Sequence, residues 1–424
     1  MMHDYYNRLN KTGSIEEVIT SFNPLYVHIL LFITWLIFPV LSIFPICFLL
    51  YYARLTRGEL LFYFLLLALV PGLINYTKTP ATDLAIYVAE YRQIYKLDLA
   101  TIRTVFPTDS FFYGTSWIVG QLSGGNTQVF PLFWTTFTYF VFFNAIYEFN
   151  KIFQDGKKRR MVGAIFFALF IGLDFSLSAH LMRQYPGAAL LSYGLARFVR
   201  GKKDSALFFV LAFLTHFSTI VFVVFLLLAS TPRKVLRILL PVLFLAVLIA
   251  GRQNILSPEA LASLGDLPLM SSVVPDNIVE KASIYVEKDD GSLNMRLYAE
   301  LAFYVLIVVY MLVWGGKNYS PEAYSSIRRF GMVFLLFLSF LLLVRSNNLL
   351  LLRYFFYLHF LSVFVLLLLF RINNYVSYTL FVLYVVSAPL RFMKASGVNP
   401  YSYIDNSYDI VFYNVINFLS YKVI

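Results

Sequence analysis

Asp174, His180 and Arg183 share one short stretch between two apolar runs. An ionisable side chain at membrane depth costs roughly 2.5–3.5 kcal/mol on insertion scales, so it normally has a partner or a function. Snorkelling to the interface is the bland reading, and it suits Asp174 best. The functional reading gives Arg183 a planar fork of donors, which fits a phosphate or pyrophosphate better than a lysine ammonium would. His216, flanked by Thr215 and Ser218, interrupts another apolar run. A lone histidine on an apolar face is more often structural. This one, however, falls on the same side as Arg183, where an imidazole can take a proton or hydrogen-bond a phosphate. Arg345 and Arg353 bracket Asn347 and Asn348 at a further turn. Arg353 lies a turn inside its run, where snorkelling falls short and an anion is a good partner. His359 is deeper and reads as structural. Asp83, Glu90, Asp98 and Asp109 are the carboxylates of one long polar segment, with Arg92 and Arg103 among them. Some of these must pair with each other. The many Tyr and Trp there, Tyr87 and Tyr91 included, fit an interfacial belt, but aromatic faces also stack on sugars.

Other chemistries lack their residues. The sequence has no G-x-x-x-x-G-K-[ST] phosphate loop, no H-E-x-x-H, no D-x-D pair and no G-x-S-x-G elbow. Its one cysteine, Cys47, sits in an apolar run, so no internal disulfide and no cysteine metal cluster is expected. The expectation is chemistry without metal or cofactor, on a lipid-linked substrate that carries its own leaving group.

These residues need a scaffold that lipid can cover. Of 424 residues, 59% are apolar and 13% charged, more apolar surface than a soluble domain can hide. The mean hydropathy is +0.71. Residues 1–23 are polar and lack a basic-then-apolar start, so the first span is expected to act as insertion signal. Apolar runs fall at 26–52, 60–76, 128–149, 161–178, 186–199, 205–230, 236–251, 298–314, 330–344, 349–370 and 375–390. A straight span needs about 20 apolar residues. The first run, with Pro39 and Pro45, is expected to be a kinked span or two half-helices. The run 205–230 is expected to split into two short helices with His216 at the turn.

Charge supports that split. Arg54/Arg57, Lys151 with Lys157–Arg160, Arg197/Arg200/Lys202/Lys203, Arg233/Lys234/Arg237, Lys317/Arg328/Arg329 and Arg371 fall on one side only if the two short helices cross in opposite directions. By the positive-inside rule that side is cytoplasmic. The net charge of +11 thus marks topology; no basic stripe or module for nucleic acid is present. The other side carries two long segments, 77–127 and 252–297, and a tail from Arg391 that lies on the membrane or folds over the site. Leu84, Tyr87, Val88, Tyr91 and Tyr95 have helical spacing, which predicts an amphipathic helix on the membrane surface. The apolar stretch 111–119 is too short to span and could be re-entrant. No internal repeat is found, and this, with the charges at one face, argues against a transporter.

Together these features resemble the bacterial polysaccharide polymerases of the Wzy type, close to their EpsG-like branch. Thr82-Asp83-x3-Tyr87-x3-Tyr91 is similar to the family's D-x3-Y-x3-Y segment. Arg183-Gln184 opens a short helix, and Arg183 with Gly194 satisfies Arg-x10-Gly. Leu214-Thr215-His216-Phe217-Ser218 resembles the F-H-x-S phrase, and Arg353-Tyr354 opens a late span. A second Arg-x10-Gly is not matched, because Arg252 is followed by glycine only at Gly265. The resemblance implies an all-α polytopic membrane protein of GT-C type, with about 11–13 spans including half-helices. It implies a glycosyltransferase in the bacterial inner membrane whose site faces the periplasm or cell exterior. Donor and acceptor would both be oligosaccharides linked to undecaprenyl pyrophosphate, with no metal or nucleotide sugar and, as a partner, a chain-length regulator. On this reading Arg183, Arg345, Arg353 and His180 hold pyrophosphate, and Tyr87, Tyr91 and Arg92 meet sugar. The acceptor's proton goes to Asp83, Asp109 or His216, a choice that stays open here. The alternatives are an O-antigen ligase and a flippase or other transporter of lipid-linked oligosaccharides.

Overall fold

The computed structural model describes residues 24–53, 55–80, 83–106, 109–153, 158–173, 178, 180–230, 301–307, 310, 320–344, 348–369, 379, 382 and 409–422. Expected features at 236–251, 252–297 and most of 298–314 and 375–390 lie outside them, as do Asp174 and Arg345. The described residues are helical, with no strand among them. The chain forms two compact units, residues 1–219 with 369–424, and residues 220–368.

The first unit starts with two half-helices, α1 (Pro24–Ile37) and α2 (Ile43–Tyr52). Pro39 lies in the break between them, where its missing N–H cannot continue a helix. Next comes α3 (Arg57–Tyr76), started by a capping box in which Thr56 Oγ1 accepts from the Glu59 amide and Glu59 accepts from the Thr56 amide. Three short helices follow: α4 (Asp83–Ile94), α5 (Leu99–Val105) and α6 (Ser110–Ser123). Then come the long α7 (Val129–Asn150), α8 (Lys158–Phe167) and a π turn at Ala168–Gly172. The hairpin α9 (Gln184–Val199) and α10 (Ser205–Thr215) turns through Gly201, whose φ of 73° an L side chain rarely adopts.

Helices α3 and α7 run antiparallel and in close contact. A Cβ on Gly72 would lie 2.2 Å from Thr136 Oγ1, so only glycine allows this approach. Asn75 Nδ2 donates to Thr135 Oγ1 at 2.8 Å near one end, and Arg57 Nη2 donates to Asn144 Oδ1 at 2.8 Å near the other. The Arg57 end also holds the buried Glu148, which pairs with Arg200 and with Lys151. Three of the expected basic connections therefore meet at one end of this unit. Arg183, just before α9, and His216, just after α10, lie together at the opposite end, where the hairpin opens.

The short helices α4, α5 and α6 pack at that opposite end. Of the stripe its spacing predicts, Leu84, Val88 and Tyr91 are buried and Tyr87 and Tyr95 half-buried, and Ile94 is buried with them. The buried ones join Phe112, Phe130, Trp134 and Met182 in one apolar cluster. The stripe therefore rests on protein rather than facing outward. Helix α6 is fixed there by Trp134 Nε1, which donates to Ser116 Oγ at 3.0 Å.

The second unit contains α11 (Ile220–Ser230), a helical stretch at 301–307, α12 (Pro321–Leu343) and α13 (Asn348–Leu369). Helix α12 opens on Ser320, whose side chain accepts from the Ala323 amide, with Pro321 at the first helical position. Aromatic pairs seal the unit: Phe222 with Phe337 at 4.7 Å and Phe340 with Tyr354 at 4.8 Å. The tail returns to the first unit as a six-residue helix, α14 (Val415–Ser420). There the Tyr76 hydroxyl donates to the Leu419 carbonyl at 3.4 Å, and Gln128 Nε2 donates to the Tyr421 carbonyl at 2.8 Å.

Among the described residues, Arg57–Tyr76, Val129–Phe153 and Pro321–Leu343 are long and apolar enough to cross a membrane. Six shorter apolar helices accompany them. The protein is an all-α membrane protein.

Candidate active site

Asp109 sits just before α6 with φ 55°, the one non-glycine residue of positive φ among those described. That region is uncommon for a side-chain-bearing residue and is tolerated best by Asn and Asp. The conformation turns the carboxylate away from its own helix, which it does not cap. Instead, Asp109 Oδ2 accepts from Arg183 Nη1 at 3.0 Å, and Oδ1 accepts from the Phe217 backbone N–H at 2.9 Å. His216 Nδ1 lies 3.9 Å from Asp109 Oδ2, close but longer than a hydrogen bond. Catalytic contacts of resting sites are often long in this way.

Two phenols complete the arginine's surroundings. Arg183 Nη1 donates to the Tyr113 hydroxyl at 3.0 Å, and Nε donates to the Tyr87 hydroxyl at 3.4 Å. The guanidinium also lies over both rings, 5.3 and 5.8 Å from their centroids. Tyr113 in turn donates to Glu90 Oε2 at 3.3 Å. Burial pushes both phenols above their ordinary range, so they remain protonated. Burial works against the charge on Arg183, but the two phenols and Asp109 outweigh it and hold the group above its ordinary value. The Asp109 side chain is 5% exposed and that of Arg183 27%. Nη2 makes no hydrogen bond to any described residue, so one edge of the fork is open to a ligand.

The Arg-x10-Gly spacing has a packing cause. Arg183 immediately precedes α9, and Gly194 lies near its middle. A Cβ on Gly194 would come within 2.7 Å of the Phe209 ring and 3.2 Å of Phe208 Cβ on α10. Near the other end, a Cβ on Gly187 would lie 3.3 Å from His216 Cβ. The two glycines let α9 and α10 pack closely, which brings the start of one helix to the end of the other. His216 then leaves α10 in extended conformation (φ −156°, ψ 116°) before the 3-10 turn Phe217–Thr219. The expected break at His216 is present.

Of the residues expected to form the site, Asp109, Arg183, His216 and Tyr87 come together. Asp83 is exposed in the first turn of α4. Tyr91 is fully buried, with its hydroxyl on Ser123 Oγ at 2.9 Å and its ring 4.7 Å from Phe130. Its faces meet protein, so Tyr91 positions α4 rather than touching sugar. His180 is also buried, and its Nε2 accepts from Lys78 Nζ at 2.7 Å. Burial first, and the Lys78 charge second, hold this imidazole down at about 4, so it is neutral at ordinary pH. Arg92 is exposed on α4, and Arg353 is exposed on α13 in the second unit. Tyr113, the Phe217 amide and Lys78 were not foreseen. Tyr113 could have been: it follows Asp109 by four residues, one helical turn on the same face.

The family model of the EpsG family matches residues 60–404. The chain belongs to the EpsG family. No curated protein and no solved structure matches it. The family implies a glycosyltransferase-like polysaccharide polymerase, and the matched region contains every residue of the Arg183 cluster.

Proposed function

We propose that this protein polymerises oligosaccharide repeat units linked to undecaprenyl pyrophosphate, transferring the growing glycan from one carrier to the non-reducing end of a repeat on another. Family membership supports the polymerase, and the open edge of Arg183 beside the Asp109–His216 pair supports this chemistry. An acceptor hydroxyl attacks the anomeric carbon of the donor glycan. The bond from that carbon to the pyrophosphate oxygen breaks, and the oxygen departs with the electron pair. Arg183 Nη2, with the protonated Tyr87 and Tyr113 beside it, stabilises the negative charge that grows there. His216 is the base. It takes the hydroxyl proton while the Asp109 carboxylate, 3.9 Å from its Nδ1, steadies the imidazolium formed. Asp109 is committed to Arg183 and the Phe217 amide, so it acts as the positioning group rather than the proton acceptor.

Tyr87 and Arg92 remain the proposed sugar contacts. Arg353 and Arg345 remain proposed partners of pyrophosphate, and Asp83 is the less favoured base. The site would face the periplasm or cell exterior from the bacterial inner membrane, with a chain-length regulator as protein partner. The test is purified protein mixed with lipid-linked repeat units. A ladder of lengthened glycans is expected. Transfer only to a lipid A core acceptor would make it a ligase, and movement of substrate between leaflets without lengthening would make it a transporter.

A further inference from the structure

A cavity of about 280 Å³ lies on another face of α4 from Tyr87. Small-molecule pockets run to roughly 300–1,000 Å³, so this one has room for a sugar ring and too little for a polyprenyl chain. One wall is apolar, formed by Leu84 and Val88 of α4 and Pro131 of α7. The polar wall includes Arg92, Thr127 and Gln128. The cavity lies at the ends of α3 and α7 away from the Arg57–Asn144 contact, and Leu84 and Val88 share an apolar cluster with Met182, next to Arg183.

Gln128 is held in a fixed orientation. Its Nε2 donates to the Tyr76 carbonyl at 3.1 Å and to the Tyr421 carbonyl of the tail at 2.8 Å, which assigns nitrogen and oxygen of the amide. Both N–H groups are then in use, and Oε1, which has no hydrogen-bond partner among the described residues, stays an acceptor. The Arg92 guanidinium and the Thr127 hydroxyl likewise have no hydrogen-bond partner among the described residues. Lys78 also lines the cavity, but its ammonium is engaged on His180. A ligand thus meets an acceptor, a fork of donors and a hydroxyl that does both, opposite an apolar wall.

A hydroxyl-rich ring matches this set. Each of its hydroxyls both donates and accepts, and its C–H face packs on Leu84, Val88 and Pro131. An anion would face the lone pairs of Gln128 Oε1, and an apolar group would leave the polar wall unmet. We propose that this cavity is a sugar subsite, binding a ring of the lipid-linked oligosaccharide other than the one that reacts. Helix α4 carries the subsite on one face and Tyr87 on another, so a repeat unit that reaches both is held in register with Arg183. This inference rests on the reading that the substrate is a lipid-linked glycan, whichever reaction it undergoes.

The probe is the free oligosaccharide released from the lipid-linked repeat unit by mild acid, which carries neither lipid nor pyrophosphate. Its binding to the full-length protein in nanodiscs is read by saturation-transfer NMR. Thr127→Val and Arg92→Met are each expected to weaken it about three- to tenfold, the worth of a lost hydrogen bond. In the ladder assay the same variants should raise KM for the repeat unit with little change in kcat. Arg92 is exposed, so Arg92→Met decides if Thr127→Val does not fold. Binding that the variants weaken, with no ladder from the parent protein, would discard the polymerase and keep the subsite. A parent protein that does not bind the free oligosaccharide, or variants that bind it as tightly as the parent, overturns the subsite. Weakened binding of inorganic pyrophosphate by variants that still bind the oligosaccharide fully would make the cavity an anion site instead.

Discussion

At Arg183 the charge and the shape of the side chain make separable contributions. Nη1 and Nε are held by Asp109, Tyr113 and Tyr87, and the open edge is what meets the leaving group. Truncation to alanine would leave Asp109 buried without its cation, a change that costs about 3–5 kcal/mol in buried pairs. Arg183→Lys is therefore the cleaner probe, since it keeps the charge and loses the fork. His216→Asn is expected to lower the transfer rate on the order of 10²–10⁴-fold with little change in substrate affinity, read from initial rates at varied repeat-unit concentration. An unchanged rate would move the base elsewhere. His180 predicts a pH effect. The folded imidazole titrates at about 4 and the ordinary value is 6.5, so the unfolded chain binds the proton first. Its contribution is complete above pH 6.5 and is lost as pH falls towards 4. Thermal unfolding midpoints should drop across that window, and drop less in His180→Gln, which keeps an acceptor for Lys78. Equal slopes would contradict this. Arg183, His216 and Asp109 were legible in the sequence because a charge between apolar runs is conspicuous. That Asp109 turns to Arg183 and the Phe217 amide was not, because that follows from one backbone angle at the start of α6.

The helices position this chemistry through close approaches that only glycine permits. Gly194→Leu is expected to separate α9 from α10 and to destabilise the protein by about 1–3 kcal/mol, as overpacking does. It should also lower the transfer rate, because Arg183 and His216 sit on the two helices being separated. Stability measured by thermal unfolding and rate measured on the same preparation should fall together. A stable variant of full rate would show that the hairpin does not set the site. Periodicity and proline made several elements readable beforehand: the amphipathic α4, the break between α1 and α2, and the split at His216. Which surface covers the α4 stripe was not readable. Spacing marks an apolar face, but lipid and the rings of Phe112, Phe130 and Trp134 satisfy it equally well.

Among the described residues of the first unit, the buried ion pairs are sorted to the two ends of the helices. Glu148 with Arg200 and Lys151 marks one end, and Arg183 with Asp109 and His216 marks the other. The positive-inside pattern anticipated this from the sequence, because short basic loops resist translocation whatever the helices between them do. Lys78 escaped notice for the same reason: one lysine after a span looks like any interfacial anchor until the fold encloses it. The central claim is that Arg183 stabilises a departing pyrophosphate during glycan transfer. Its most direct test is the rate of ladder formation from lipid-linked repeat units by wild type and by Arg183→Lys. A loss of about 10²–10³-fold, with the variant still folded and still binding the repeat unit, is expected for one lost transition-state donor. Ladder formation at the wild-type rate by Arg183→Lys would contradict the account.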